Sequence, residues 1–266
     1  MKFEGKVAIV TGAARGMGYS HCLALAREGA DIAAADICGN IEGIYELSPD
    51  LKEVISEVQK LGRKAIGIKC DVRKGDEVKA MAERVLLELG RIDILVNNAG
   101  IEAFHPVQDI SEDEWDKVLD VDLKGVFLCC KYIVPQMIKQ KSGKIINISS
   151  IYGYQAAPLV SHYCAAKFGV VGFTQSLARE LAEHNINVNA VGPGFINTKM
   201  ADAEAPIFAP LMGIPTETYY QDAIKQVSLF GREITPQDIS NAVVWLASED
   251  SRNVTGQLIL VDGGHV

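Results

Sequence analysis

The stretch that most limits what this chain can fold into is Gly12-Ala13-Ala14-Arg15-Gly16-Met17-Gly18. A short β-branched run at 6–11 leads into it and reads as a buried strand. A helical pattern follows to about Glu28, closed by Gly29. Strand, glycine turn and helix in that order form a phosphate cradle. The glycines let backbone approach a pyrophosphate, and the helix N-terminus offers unpaired N–H groups at the positive end of its dipole. The same glycines elsewhere would make only a tight turn.

The next strand, 31–36, ends on Asp36, about twenty residues beyond the glycines. An acid there can accept from adenosine ribose hydroxyls and repels a 2′-phosphate, which favours NAD over NADP. Arg15, inside the glycine turn, carries a charge that could partly compensate such a phosphate. Further strands are expected at 65–70, 92–96, 143–148, 187–191 and 257–261, with helices at 51–61, 74–89, 160–183 and 236–247. The alternation predicts an α/β Rossmann-like doubly wound fold, a parallel sheet of about seven strands with helices on both faces. Ligands of such sheets gather beyond the C-terminal strand ends, beside the topological switch point. Asp71-Val72, Asn97-Asn98-Ala99-Gly100, Ser149-Ser150 and Pro193-Gly194 all stand at such ends.

Two stretches depart from the pattern. Residues 37–49 are longer than a usual connection and could be a lid or a passive insertion. Residues 199–230 look irregular, with Pro206, Pro210 and Pro215 among Phe208, Tyr219, Tyr220 and Phe230. We expect 195–230 to be an apolar cover over the substrate. Neither repeats nor linkers interrupt the chain, so residues 1–266 are expected to form one domain.

Composition narrows the partners. A hydrophobic content of 48 % supports a large core, and a net charge of −8 argues against nucleic acid or an anionic membrane. No secretory or spanning segment is visible. The six cysteines are scattered without a C-x-x-C pair. Free buried thiols in a reducing cytoplasm are expected, and no metal site.

Tyr163 and Lys167 are four residues apart on an expected helix, so phenol and ammonium share a face. A neighbouring cation favours the phenolate and tunes tyrosine toward proton exchange with an alcohol or carbonyl. The bare spacing also suits an ordinary surface pair, and Ser150 alone could be a turn residue. Ser111-Glu112-Asp113-Glu114 reads as a capping box, with Glu114 reaching back to the helix start. The helix it opens carries an apolar stripe, Trp115, Val118, Leu119, Leu123, Val126 and Phe127, on which Asp122 also falls. A carboxylate on a core-facing line must be paired, either by backbone or in an active site.

Together these residues resemble the short-chain dehydrogenase/reductase family over nearly the whole chain. Thr11-Gly12-x-x-x-Gly16-x-Gly18, Asp71-Val72, Asn97-Asn98-Ala99-Gly100, Ser150, Tyr163-x-x-x-Lys167 and Pro193-Gly194 occur in the family's order. The resemblance implies Tyr163 as general acid/base, Lys167 as its tuner and holder of the nicotinamide ribose, and Ser150 orienting the substrate oxygen. It implies that the cofactor, which carries the hydride, meets Gly12, Arg15, Gly16, Met17, Gly18, Asp36, Ile37, Asp71, Val72, Asn98, Ala99, Gly100, Tyr163, Lys167, Pro193, Gly194, Ile196 and Thr198. In one place the chain departs: the family's fourth catalytic residue is asparagine, and here it is Asp122. That aspartate keeps oxygen acceptors but no amide donor, and its charge would raise the Lys167 pKa.

Gly18-Tyr19-Ser20-His21, Asp36-Ile37-Cys38 with the insertion after it, and Asp238-Ile239-Ser240-Asn241-Ala242-Val243 resemble carveol-dehydrogenase-like, mycofactocin-associated members. These resemble hydroxysteroid dehydrogenases in acting on bulky ring alcohols. The expected substrate is therefore a small molecule, a bulky alicyclic secondary alcohol or its ketone, terpenoid or steroid. The resemblance also implies NAD that need not exchange freely and a homotetramer built around 111–140 and 160–183. The rival readings are a 3-oxoacyl thioester reductase and a nucleotide-sensing binding protein on the same scaffold.

Overall fold

The computed structural model describes residues 1–37, 51–196 and 199–264. Thr198, Cys38 and all of the 37–49 insertion except Ile37 lie outside the described residues. The strands are β1 (Val7–Thr11), β2 (Asp31–Asp36), β3 (Ala65–Lys69), β4 (Ile94–Asn97), β5 (Gly143–Ile148), β6 (Ile186–Pro193) and β7 (Leu258–Val261). Among the described residues they form one parallel sheet in the order β3-β2-β1-β4-β5-β6-β7. The chain runs outward from β1 to β3, then returns to start β4 against β1. That reversal leaves a crevice between β1 and β4.

The helices are α1 (Gly16–Arg27), α2 (Leu51–Lys60), α3 (Gly75–Leu89), α4 (Glu112–Leu119), α5 (Gly125–Gln140), α6 (Ser161–Leu181), α7 (Lys199–Met212), α8 (Tyr219–Val227) and α9 (Pro236–Ala247). Period-two alternation sorts the strand side chains between two cores. Val7, Ile9, Leu95 and Ile145 pack with α3, α5 and α6, while Ala8, Val10, Val96 and Ile146 pack with α1, α2 and α9. Five of the cysteines, Cys22, Cys70, Cys129, Cys130 and Cys164, are buried free thiols. Among the described residues no helix is long and apolar enough to cross a membrane.

α1 and α9 are joined by a polar contact within apolar packing. His21 Nδ1 lies 2.8 Å from Ser240 Oγ, which also donates to Ser20 Oγ at 2.8 Å. His21 is fully buried, and burial pushes its pKa down to about 3, so the ring is neutral. Two of the motifs noted in the sequence, around Ser20-His21 and Ser240, thus meet in space.

Three expectations need correction. Residues 199–230 are not irregular: they build α7 and α8, and Pro206 and Pro210 lie inside α7. Proline removes a helix hydrogen bond and reads as a breaker, which hid the helix. The long helix after Ser111 is interrupted by a π-helical turn at Asp120–Lys124, with backbone still right-handed on either side. Finally, Ser111 does cap α4 by accepting from Glu114 N, but no reciprocal bond from the Glu114 carboxylate closes the box. That carboxylate turns instead to His105 and His162.

Candidate active site

The glycine turn takes the shape its residues permit. Gly12 and Gly16 have φ of +62° and +54°, the left-handed region that disfavours side chains. A Cβ on Gly18 would run into the Gly12 carbonyl and come within 2.7 Å of Asn98 Nδ2. No side chain caps α1 at Arg15, so its first N–H groups face the turn. Met17 and Ile37 are half-buried and Arg15 is exposed.

The crevice is tied together from below. Asn98 Nδ2 donates to the Thr11 and Gly12 carbonyls at 2.9 and 3.1 Å, and Thr11 Oγ1 accepts from the N–H groups of Asn98 and Ala99. Asn98 and Ala99 thus hold the turn itself. Asp36, buried at the end of β2, accepts from Ala14 N at 3.1 Å. Beyond β3, Arg73 grips both Asp71 carboxylate oxygens, with contacts as short as 2.7 Å. Burial pushes the Asp71 pKa up, but the Arg73 bonds prevail and hold it below the ordinary carboxylate range. Val72 packs beneath Gly125, where a Cβ would come within 2.7 Å of it.

Tyr163 and Lys167 lie on one face of α6, both buried, with Lys167 Nζ 5.2 Å from the Tyr163 ring centroid. Lys167 Nζ donates to the Ile148 carbonyl at 3.1 Å and pairs with Asp122 Oδ2 at 3.0 Å. Asp122 Oδ1 accepts from Ile101 N at 2.8 Å. Asp122 is thus paired twice, by a backbone N–H and by the Lys167 ammonium. Burial raises the Asp122 pKa above its ordinary value, although Lys167 and the Ile101 N–H pull the other way. Gly100 makes room for this pair: a Cβ there would sit 3.0 Å from Asp122 Oδ2. The π-helical turn delivers Asp122 inward, as such bulges often do at functional sites.

Ser150 is buried at the end of β5, and its Oγ accepts from Tyr152 N at 3.1 Å. The Tyr152 ring packs edge-on against Tyr163, centroids 6.3 Å apart. Ser149 Oγ donates to the Lys167 carbonyl at 3.1 Å. On the other side, Gly194 N donates to the Val261 carbonyl, and Ile196 pairs with Ile234. Pro193 closes β6. Of the expected site residues, Gly100, Asp122, Lys167 and Tyr163 lie together, and Ser150 is joined to them through Tyr152.

α7 and α8 meet the loop after β4 and the end of β6 through aromatic rings. Phe104 meets Phe208 at 5.4 Å, and Phe195 packs on Tyr219 and Tyr220. Two carboxylates escaped the sequence reading. Glu102 is buried, and burial with Glu204 and Asp122 nearby raises its pKa well above the ordinary range. Glu204 accepts from Tyr219 OH at 3.4 Å, and burial pushes its pKa up to about 7. An acid within the apolar run after Gly100 was the one available signal for Glu102; Glu204 had none, because its helix was unseen.

The model of the short chain dehydrogenase family matches residues 6–206. The chain belongs to this family. Membership makes it an oxidoreductase of the alcohol dehydrogenase and ketoreductase class. It is 40 % identical over 266 residues to the 3-oxoacyl-(acyl-carrier-protein) reductase FabG of Thermotoga maritima, covering all of both chains. It is 39 % identical over 271 residues to (−)-trans-carveol dehydrogenase of Rhodococcus erythropolis, covering 99 % of this chain and 98 % of that one. Its fold matches the crystal structure of carveol dehydrogenase from Mycobacterium avium in complex with NAD with a TM-score of 0.94, at 38 % identity over 99 % of this chain and 98 % of that one.

Proposed function

We propose that this dehydrogenase uses NAD to interconvert a bulky alicyclic secondary alcohol and its ketone, a hydroxysteroid such as a bile acid or a carveol-like terpenoid. The observation that supports the reading is Lys167 Nζ held 5.2 Å from the Tyr163 ring centroid by Asp122 and Ile148, with Ser150 tied to Tyr163 through Tyr152, in a chain that also carries the glycine cradle with Asp36 at its edge. The cradle fits a dinucleotide: its backbone is left-handed at two glycines, and a Cβ on Gly18 would collide with the turn. Gly12, Gly16 and Gly18 would hold the pyrophosphate, and Asp36 the adenosine ribose hydroxyls, which favours NAD. Lys167, Gly194 and Ile196 would border the nicotinamide end. When bound, the nicotinamide supplies the hydride chemistry.

The chain's own residues supply proton transfer and orientation. Lys167, pinned by Ile148 and Asp122, lies beneath Tyr163 and favours its phenolate. Tyr163 takes the hydroxyl proton of the alcohol in oxidation and returns it in reduction. Ser150 Oγ accepts from Tyr152 N, which leaves its hydroxyl hydrogen to donate to the substrate oxygen. Phe104, Phe208 and Phe195 offer apolar walls for a ring system, and Glu102 and Glu204 offer polar anchors. Exposed Trp115, Phe127 and Phe168 on α4, α5 and α6 support a homotetramer, and buried free thiols support a cytoplasmic site.

A second reading, a 3-oxoacyl thioester reductase, is favoured by the full-length likeness to the Thermotoga maritima reductase. Asp36 weighs against it, because that role usually draws on NADPH. A sensor role is disfavoured by the complete Tyr163, Lys167 and Ser150 set. The test is NADH absorbance with bile acids, neutral steroids and carveol-like terpenols, each with NAD+ and NADP+, alongside a 3-oxoacyl thioester with NADPH. Turnover of one ring-alcohol class with NAD+ is expected; thioester reduction with NADPH alone would overturn the reading. If free NAD+ is not reduced, NAD(H) released on denaturation would identify a retained cofactor.

A further inference from the structure

The catalytic helix begins without a cap. Val160 at the N-cap of α6 provides no side-chain hydrogen bond, and Tyr163 lies in the first turn. Uncapped first turns fray, and a tyrosine there would not hold a fixed distance to Lys167 one turn further on. The tie comes from another helix. Glu114 on α4 places Oε1 3.2 Å from His162 Nε2 and 2.9 Å from His105 Nδ1. His162 is fully buried next to Tyr163, whereas the His105 side chain is half exposed on the loop after β4. The His105 N–H also donates to the Leu159 carbonyl, just before α6. One carboxylate thus joins the substrate-side loop, α4 and the start of the catalytic helix.

We propose that Glu114 is a positioning residue that, through His162 and His105, holds the first turn of α6 and so keeps Tyr163 in register with Lys167. The inference rests on the catalytic reading of Tyr163 given above. The titratable groups facing His162 are Glu114 from α4, His105 from the loop and Asp122 from the π-helical turn. Burial keeps His162 below its ordinary pKa, with the Glu114 carboxylate opposing, so the clamp on His162 is a 3.2 Å polar contact in a buried site, not an aligned hydrogen bond. Nothing in this clamp touches the glycine cradle, so nucleotide binding and tyrosine positioning are separable.

The experiment compares the unaltered protein with Glu114→Ala, Glu114→Gln, His105→Asn and the Glu114→Ala/His105→Asn double variant. Tyr163 ionisation is read as tyrosinate absorbance against pH, corrected with Tyr163→Phe; this needs no substrate. In Glu114→Ala the Tyr163 midpoint should move to higher pH, because the phenol drifts from the Lys167 cation. With a turned-over alcohol, kcat should fall about tenfold while the KM for NAD+ holds. Glu114→Gln, which keeps one acceptor oxygen and the same volume, should shift the midpoint in the same direction but by less, and serves if the alanine variant fails to fold. His105→Asn should add nothing once Glu114 is gone. An unchanged midpoint in Glu114→Ala or Glu114→Gln, or a fully additive His105→Asn, would overturn the clamp. A protein that oxidises no ring alcohol yet shows the midpoint shift would overturn the substrate reading and leave the clamp standing.

Discussion

Asp122 shares its two oxygens between Lys167 Nζ and the backbone N–H of Ile101, and neither contact is reachable by solvent. An amide at this position could still accept from Ile101 but would carry no charge toward Lys167. With the carboxylate in place, part of the Lys167 field at Tyr163 is cancelled. Removing that charge leaves the cation unopposed and stabilises the phenolate further. Asp122→Asn should therefore move the lower limb of the pH–rate profile to lower pH, with kcat altered by roughly threefold to tenfold. A variant with the original rate and profile would remove Asp122 from the tuning of Tyr163. That Asp122 mattered was legible from a charge on an apolar stripe. Which partners it takes was not, because Ile101 and Lys167 reach it only through the fold.

At the scale of elements, the contact between α1 and α9 carries its own pH dependence. His21 keeps a pKa of about 3 in the fold, against 6.5 when solvated. Between those values the unfolded chain binds a proton that the folded chain refuses, so stability is full above pH 6.5 and is lost as pH falls toward 3. The loss should amount to a few kcal/mol, on the order expected for one buried histidine. Denaturant unfolding of the protein and of His21→Gln across this range checks it: the glutamine variant should show a shallower acid loss. Equal slopes would place the acid sensitivity elsewhere. The sequence made α1, α9 and the sheet legible because their apolar periods and glycine or proline boundaries agree. It concealed α7, where Pro206 and Pro210 sit inside a helix, and the π-helical turn, which a 3.6-residue stripe cannot reveal. Glu114 followed the capping pattern in spacing but not in contact, since two imidazoles reached by tertiary packing compete for its carboxylate.

For the whole molecule, the switch point between β1 and β4 is where the proposed site lies, and α4, α5 and α6 each leave one large apolar side chain exposed among polar neighbours, Trp115, Phe127 and Phe168. Phe127 and Phe168 are each 44 % exposed, more than a lone chain needs to leave open. Phe127→Glu should split the proposed tetramer in sedimentation experiments while leaving the far-ultraviolet spectrum intact. An unaltered protein that sediments as a monomer would contradict that assembly. The proposed role of Tyr163, as proton donor and acceptor in an NAD-dependent reaction, is separable from the glycine cradle that would hold the cofactor. It is tested most directly by measuring NAD+ binding and alcohol-dependent NADH formation in Tyr163→Phe beside the unaltered protein. We expect NAD+ to bind with affinity within about threefold of the original and turnover to fall by roughly a hundredfold or more. Turnover retained in the phenylalanine variant would contradict the account.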